Sequence, residues 1–337
     1  MQLDKTHVVI RVRTLSEIGD LALVMLRRYP SALLIGFLFG ALPWIICNAA
    51  LLSWIPYFET EYDIWQDEES FAELARYCSW MCVLVFLQAP AAGVLTTIYL
   101  GQAVFEQRPT WGNVVSEAKA QFGRWFYVLG IKRLAIPVIV LLALRFDTPA
   151  DGFFDVMLPI VIVLIVALIR ASRPFLPEIL LLEQCPLSDS TNRLITVGRR
   201  SKSLHSPLGS ELSGRFVAVS LILFWMFASV LYTMFAAREL LGGTRALDTF
   251  FFLVLFPVAL WVVAGASVLV RLLNYLDARI RLEGWEVELA VRAEAIRQFG
   301  EEGSTRQRVT AKTPDQNTTP KQPVSAESVV QEAGHGA

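Results

Sequence analysis

Charge is scarce in this chain. Only 18% of its 337 residues are Asp, Glu, Lys or Arg, against about 25% in soluble domains. Histidine (3) and cysteine (4) are scarcer still, which leaves little material for a metal centre or a disulfide framework. Cys78 and Cys82 stand four residues apart and share a helix face. No second pair or histidine completes them into a metal set, and the spacing fits a disulfide poorly. They read as small buried hydrophobes, with a disulfide near the outer interface as the alternative. His7, His205 and His335 are scattered over polar segments. No H-E-x-x-H, G-x-S-x-G, Walker loop or G-x-G-x-x-G occurs, so the commonest metal, nucleophilic and nucleotide-binding chemistries find no support. Neither a cofactor nor a nucleic-acid partner is expected.

Apolar residues are abundant. They make up 54% of the chain, and the mean hydropathy is +0.48. Bilayer hydrocarbon is about 30 Å thick, so a spanning helix needs about 20 mostly apolar residues. Six segments qualify: 31–54, 80–101, 125–146, 155–170, 216–237 and 249–270. The third is interrupted by Lys132 and Arg133, which are expected to snorkel from a helix whose first third lies in the headgroup layer. The first thirty residues are polar and resemble no cleavable signal, so the first span is expected to remain as an anchor.

The net charge of −1 conceals a vertical polarity. Of the 30 Lys and Arg, 26 fall on the side of the two termini and only Arg76, Arg145, Arg238 and Arg245 on the other. The positive-inside rule then places both termini in the cytoplasm. The opposite side is acidic: the stretch 55–78, read as an outer loop, carries Glu59, Glu61, Asp63, Asp67, Glu68, Glu69 and Glu73 among aromatic residues. The expected fold is all-α, a six-transmembrane-helix bundle with cytoplasmic interfacial amphipathic helices. Residues 1–30 form the N-terminal segment and 31–299 the membrane domain, closing in a juxtamembrane helix over 271–299. Residues 300–337 lack Phe, Trp and Tyr and are expected to form a disordered tail.

Three amphipathic segments precede the odd-numbered spans. Thr14-Leu-Ser-Glu17 forms a capping box ahead of Leu15, Ile18, Ala22, Met25 and Leu26 at helical spacing. Pro109–Asn113 opens a segment with Val115, Ala118 and Phe122 on one face, and 186–204 carries Leu187, Leu194 and Ile195. Each leads to an Arg-aromatic anchor, which hints at a threefold repeat; a generic basic, aromatic interface gives the same pattern. Gly36, Gly40 and Gly265 are small residues that permit close helix contact. Pro43, Pro90, Pro137, Pro159 and Pro257 interrupt five spans, with Asn48, Gln88, Thr96 and Thr97 nearby. Broken helices of this kind line transporter sites.

The ionisable outliers are Lys132, Arg133, Arg170, Arg173, Glu178 and Glu183. The elbow from Phe175 to Glu183 is too short to span and is expected to lie in the interface. Its glutamates, paired with these basic residues, would hold it against the third helix; a basic pocket here would alternatively bind a lipid phosphate.

Arg108-Pro-Thr-Trp111, Pro177–Glu183 with Pro186-Leu187, Arg199-Arg200-Ser201 and Tyr275–Trp285 resemble bacterial six-span integral membrane proteins related to the membrane domain of glycerophosphoryl diester phosphodiesterase. The resemblance implies a six-helix bundle with interfacial helices. It implies no phosphodiesterase activity, because the catalytic barrel of that enzyme is a separate domain. The expectation is a non-enzymatic multi-pass protein of the bacterial inner membrane, a membrane-organising or assembly component. Its partners would be the lipid bilayer and other membrane proteins. A transporter or permease subunit is the alternative, and a lipid-modifying membrane enzyme comes third.

Overall fold

The computed structural model describes residues 13–59, 68–105, 109–146, 148–188, 195–243 and 246–283. The described residues form helices joined by turns and short irregular segments, with no strand. Five helices are long and apolar enough to cross a membrane: α2 (Ala32–Leu52), α4 (Glu68–Ala92), α9 (Phe153–Ser172), α12 (Gly209–Gly242) and α13 (Phe251–Glu283). A bent pair, α7 (Phe122–Ile131) and α8 (Ala135–Leu144), makes a sixth if counted as one span. The shorter helices are α1 (Leu15–Arg28), α3 (Trp54–Glu59), α5 (Val94–Phe105), α6 (Trp111–Ala120), α10 (Leu176–Leu181) and α11 (Val197–His205).

Local chemistry explains where these helices start and bend. The capping box forms: Thr14 accepts from the Glu17 amide while Glu17 accepts from the Thr14 amide, satisfying two donors that a helix start leaves free. Proline removes an amide and crowds the carbonyl four residues back. For Pro159 and Pro257 those carbonyls, Asp155 and Leu253, lie in widened π-helical opening turns, Phe153–Met157 and Phe251–Leu255, which make room for the ring. The α7/α8 pair bends by 59° at Leu134, whose φ of 66° is left-handed.

Several expected boundaries move. The span placed at 80–101 is divided at Gly93, and its first part begins at Glu68. Residues 68–78 are therefore helix rather than loop. Arg76 can be buried there because it lies 3.5 Å from Asp155 and donates to the carbonyls of Thr148 (2.7 Å) and Arg145 (3.1 Å). The elbow does not lie at a surface: Phe175 and, in α10, Glu178, Ile179, Leu180 and Leu181 are all buried. The inward face of α6 is Val114 and Ala118, while Phe122 is exposed. In the third amphipathic segment, Leu187 and Ile195 are exposed and Val197, Ser201, Leu204 and His205 face inward. Leu194, Arg108, Glu61, Asp63, Asp67, residues 284–299 with Trp285, and the tail 300–337 lie outside the described residues.

Two apolar clusters fill the bundle. One joins α1, α5, α6, α10, α11 and the end of α13 through Ile18, Ile98, Val114, Ile179, Leu204 and Tyr275. The other joins α2, α4, α8, α9 and the start of α13 through Phe37, Leu84, Val138, Val166 and Phe256. The small residues serve these contacts within the chain. A Cβ on Gly40 would lie 2.1 Å from the Ala92 carbonyl oxygen, one on Gly36 2.9 Å from Trp111, and one on Gly265 3.2 Å from Phe37.

Candidate functional site

Side chains from α4, α9, α12 and α13 surround a cavity of about 390 Å³, within the ~300–1,000 Å³ range of small-molecule sites. Its walls are aliphatic and aromatic, including Val85, Phe86, Phe216, Leu223, Phe227 and Leu260. Four arginines break this apolar lining: Arg133, Arg170, Arg215 and Arg271.

Each reaches the cavity for a local reason. Arg170 sits in the last turn of α9, after an aliphatic run from Ile160 to Ile169, where the helix dipole favours a cation. Its guanidinium stacks 4.0 Å from the centre of the Phe86 ring, and its Nη2 donates to the Leu87 carbonyl at 3.3 Å. Arg133 lies in the break between α7 and α8, and the left-handed turn at Leu134 follows it. Its Nη2 donates to the Arg173 carbonyl at 3.4 Å. Arg271 meets the carboxylate of Glu178 at 2.5 Å. Arg215 is held by Asp277 at 2.7 Å and Glu211 at 3.0 Å.

The electrostatics are unbalanced. Arg133 and Arg170 are 6% and 9% exposed, and among the described residues neither has a carboxylate within ion-pair distance. Burying an unpaired charge is costly, and buried charges normally carry partners. Their Nε atoms, with Nη2 of Arg271, are buried N–H donors without an acceptor. An arrangement of unfilled guanidinium donors in an apolar chamber is suited to holding an anion.

The structure divides the six expected outliers. Arg133 and Arg170 line the cavity, and Glu178 closes its charge from behind through Arg271. Arg133 is buried instead of snorkelling, because the bend turns it inward. Lys132 is exposed, 5.2 Å from the centre of the Tyr127 ring. The Arg173 side chain is also exposed, and only its carbonyl serves Arg133. Glu183 belongs to a different group. It binds Arg200 at 2.5 Å, accepts from Tyr275 at 2.7 Å and lies 3.6 Å from Arg279. Neither glutamate pairs with the third span as expected; their partners are on α11 and α13.

Sequence reasoning missed Arg271 and His205. Arg271 directly follows the expected end of the sixth span and reads as one more basic cytoplasmic residue. The continuation of α13 to Glu283 is what turns it inward. His205 is buried beside Phe175, another cavity residue. Its Nδ1 donates to the Ser201 carbonyl at 2.6 Å, and its Nε2 accepts from the Phe175 amide at 3.3 Å. That pair of bonds requires the neutral ring. Burial pushes its pKa down, and the positive charges of Arg173 and Arg133 act in the same direction, against the Ser201 carbonyl.

Away from the cavity, Asn48 and Gln88 exchange two hydrogen bonds of 2.8 Å, fully buried between α2 and α4. Thr96 donates to the Ala32 carbonyl at 3.0 Å. Thr97 is buried with its hydroxyl unpartnered. The cysteines are all free, and Cys82 lines the cavity instead of being buried. No family model, curated protein or solved structure matches the chain.

Proposed function

We propose that the chain is a six-span protein of the bacterial inner membrane, both termini cytoplasmic, that works without catalysing a reaction as a membrane-organising or assembly component. Its partners are then the bilayer and other membrane proteins. The observation that carries this reading is the use of charge at the basic end of the bundle. There Arg215 and Arg281 converge on Asp277 at 2.7 and 3.0 Å, and both donate to the Arg13 carbonyl ahead of α1. Beside them Glu183 and Glu283 gather Arg200, Arg279 and Tyr275, tying the chain after α10 to α11 and α13. The effect is a plate of short helices riveted to a long apolar one, a scaffold's use of ion pairs. The resemblance to membrane domains related to glycerophosphoryl diester phosphodiesterase supports the same architecture.

The transporter alternative draws on the helix prolines, but of the four polar side chains near them Asn48 and Gln88 bond one another and Thr96 donates to the Ala32 carbonyl, which leaves Thr97 unpartnered.

Reporter fusions after Gly112, Asp151, Leu208 and Gly243 test the topology. The reading requires inside, outside, inside, outside, and any other order removes it. Activity is tested on the purified chain: hydrolysis or transfer of a lipid headgroup, abolished by one side-chain change, would overturn the non-enzymatic reading.

A further inference from the structure

We propose that the cavity between α4, α9, α12 and α13 binds a phospholipid of net negative charge, with its phosphate on Arg133, Arg170 and Arg271 and its chains along the apolar wall formed by α12. The inference rests on the membrane reading above and goes beyond it by assigning a ligand.

Charge is the first ground. The three guanidiniums line one cavity, and the carboxylate bound among them is Glu178, on Arg271. The group therefore carries an excess of two positive charges in a low-dielectric setting, where an absent counter-charge is expensive. Arg215, the fourth arginine, is already matched by Asp277 and Glu211.

Donor geometry is the second. Nε of Arg133, Nε of Arg170 and Nη2 of Arg271 are buried without acceptors. A phosphate presents several anionic oxygens and is the group that guanidinium forks bind best.

The third ground is access. Leu212 is the one buried residue of α12, so this helix stands against the bundle on a thin apolar seam rather than inside it. The cavity wall it supplies, Phe216, Val219 and Leu223, is apolar. A water-soluble phosphate gains nothing from that wall, whereas an acyl chain arriving from the bilayer buries its length there. The phosphate chemistry alone would suit either source; the wall selects the lipid.

Native mass spectrometry of the full chain in mild detergent tests this, titrating phosphatidylglycerol, phosphatidylcholine and glycerol phosphate separately. Phosphatidylglycerol is expected to bind in one-to-one stoichiometry, and phosphatidylcholine about tenfold more weakly for want of net charge. Glycerol phosphate is expected not to bind. Removing both unpaired arginines, Arg133→Gln with Arg170→Gln, should weaken phosphatidylglycerol about tenfold or more, since hydrogen bonds to charged groups are the strong ones. Arg133→Lys with Arg170→Lys should retain most of the binding. If the glutamine variant does not fold, Ser220→Trp decides: Ser220 is an exposed residue at the cavity, and the indole fills it while leaving every arginine in place. Ser220→Trp should abolish the one-to-one complex. Equal binding of the two lipids, binding of glycerol phosphate, or undiminished phosphatidylglycerol binding by folded glutamine or tryptophan variants would each overturn the proposal. None of these readouts depends on the reporter-fusion order, so a failure here is separable from a failure of the topology.

Discussion

Glu178 has no solvent exposure, and its Oε1 receives Nε of Arg271 at 2.5 Å. This pair joins the short buried helix α10 to the long helix α13 across the floor of the cavity. Removing Glu178 leaves Arg271, 16% exposed, charged and without its carboxylate. Glu178→Gln is therefore expected to cost up to about 3–5 kcal/mol of stability, the range for breaking a fully buried pair by losing one partner. Replacing both with leucine should recover most of that loss, because two apolar side chains need no counter-charge. Thermal unfolding in detergent, monitored by circular dichroism for both variants, checks the ordering; a double variant worse than the single one would refute it.

Much of the fold was legible because long apolar runs have one structural outcome in lipid, where every backbone polar group must be satisfied within the segment. Hydropathy is blind to where a charge points, and that limited the site. Arg133 and Lys132 are neighbours of the same class, yet the left-handed residue Leu134 turns one inward and leaves the other outside. No local pattern announces a positive φ at leucine, a residue for which that conformation is a genuine outlier. Glu178 and Glu183 stand out in the sequence as ionisable residues in an apolar stretch, but the arginines they bind sit 93 and 17 residues away in the chain. Pairing over such separations is set by helix packing, which composition does not encode. Residues 68–78 looked like loop because polar side chains lowered their hydropathy. They are helical because Arg76 finds Asp155 and two carbonyls.

Gly40 is the tightest of the expected packing glycines. A Cβ there would meet the Ala92 carbonyl oxygen at 2.1 Å, a backbone atom that cannot swing aside. Gly40→Ala should force α2 away from α4 and cost at least the ~1–3 kcal/mol typical of overpacking. Gly265→Ala, where the neighbour is the Phe37 ring at 3.2 Å, should cost less, since an aromatic side chain can shift. Gly19 in α1 has nothing within 4 Å, so Gly19→Ala should instead stabilise by about 0.5–1 kcal/mol through helix propensity. Melting temperatures of the three variants should follow that order, and a mild effect at Gly40 would mean the α2–α4 contact is looser than described.

His205 makes stability depend on pH. Its neutral ring accepts from the Phe175 amide and donates to the Ser201 carbonyl, and burial lowers its pKa below the ordinary value. The unfolded chain then binds a proton more readily than the folded one. Stability is full above about pH 6.5, the ordinary histidine value, and falls as acidification carries the pH through and below it. The side chains acting on it among the described residues are Arg173 and Arg133, both positive, and they add to the trend. Unfolding midpoints measured between pH 8 and 5 should decline for the native chain and flatten for His205→Gln. An equal slope in both would assign the dependence to another group.

Asn48 and Gln88 test the difference between a structural polar pair and a transport site. Each amide satisfies the other through two bonds of 2.8 Å, both side chains being essentially without exposure. Removing one partner strands a buried amide, so Asn48→Ala is expected to cost about 1–3 kcal/mol. Replacing both with leucine removes donors and acceptors together and should be close to neutral, because nothing polar is then left unmade. A transport site behaves differently: either change would alter substrate flux or ligand-dependent melting whatever its effect on stability. The pair therefore predicts a single variant that melts early and a double variant that melts like the native protein. A double variant as unstable as the single one would show that the amides serve something other than each other.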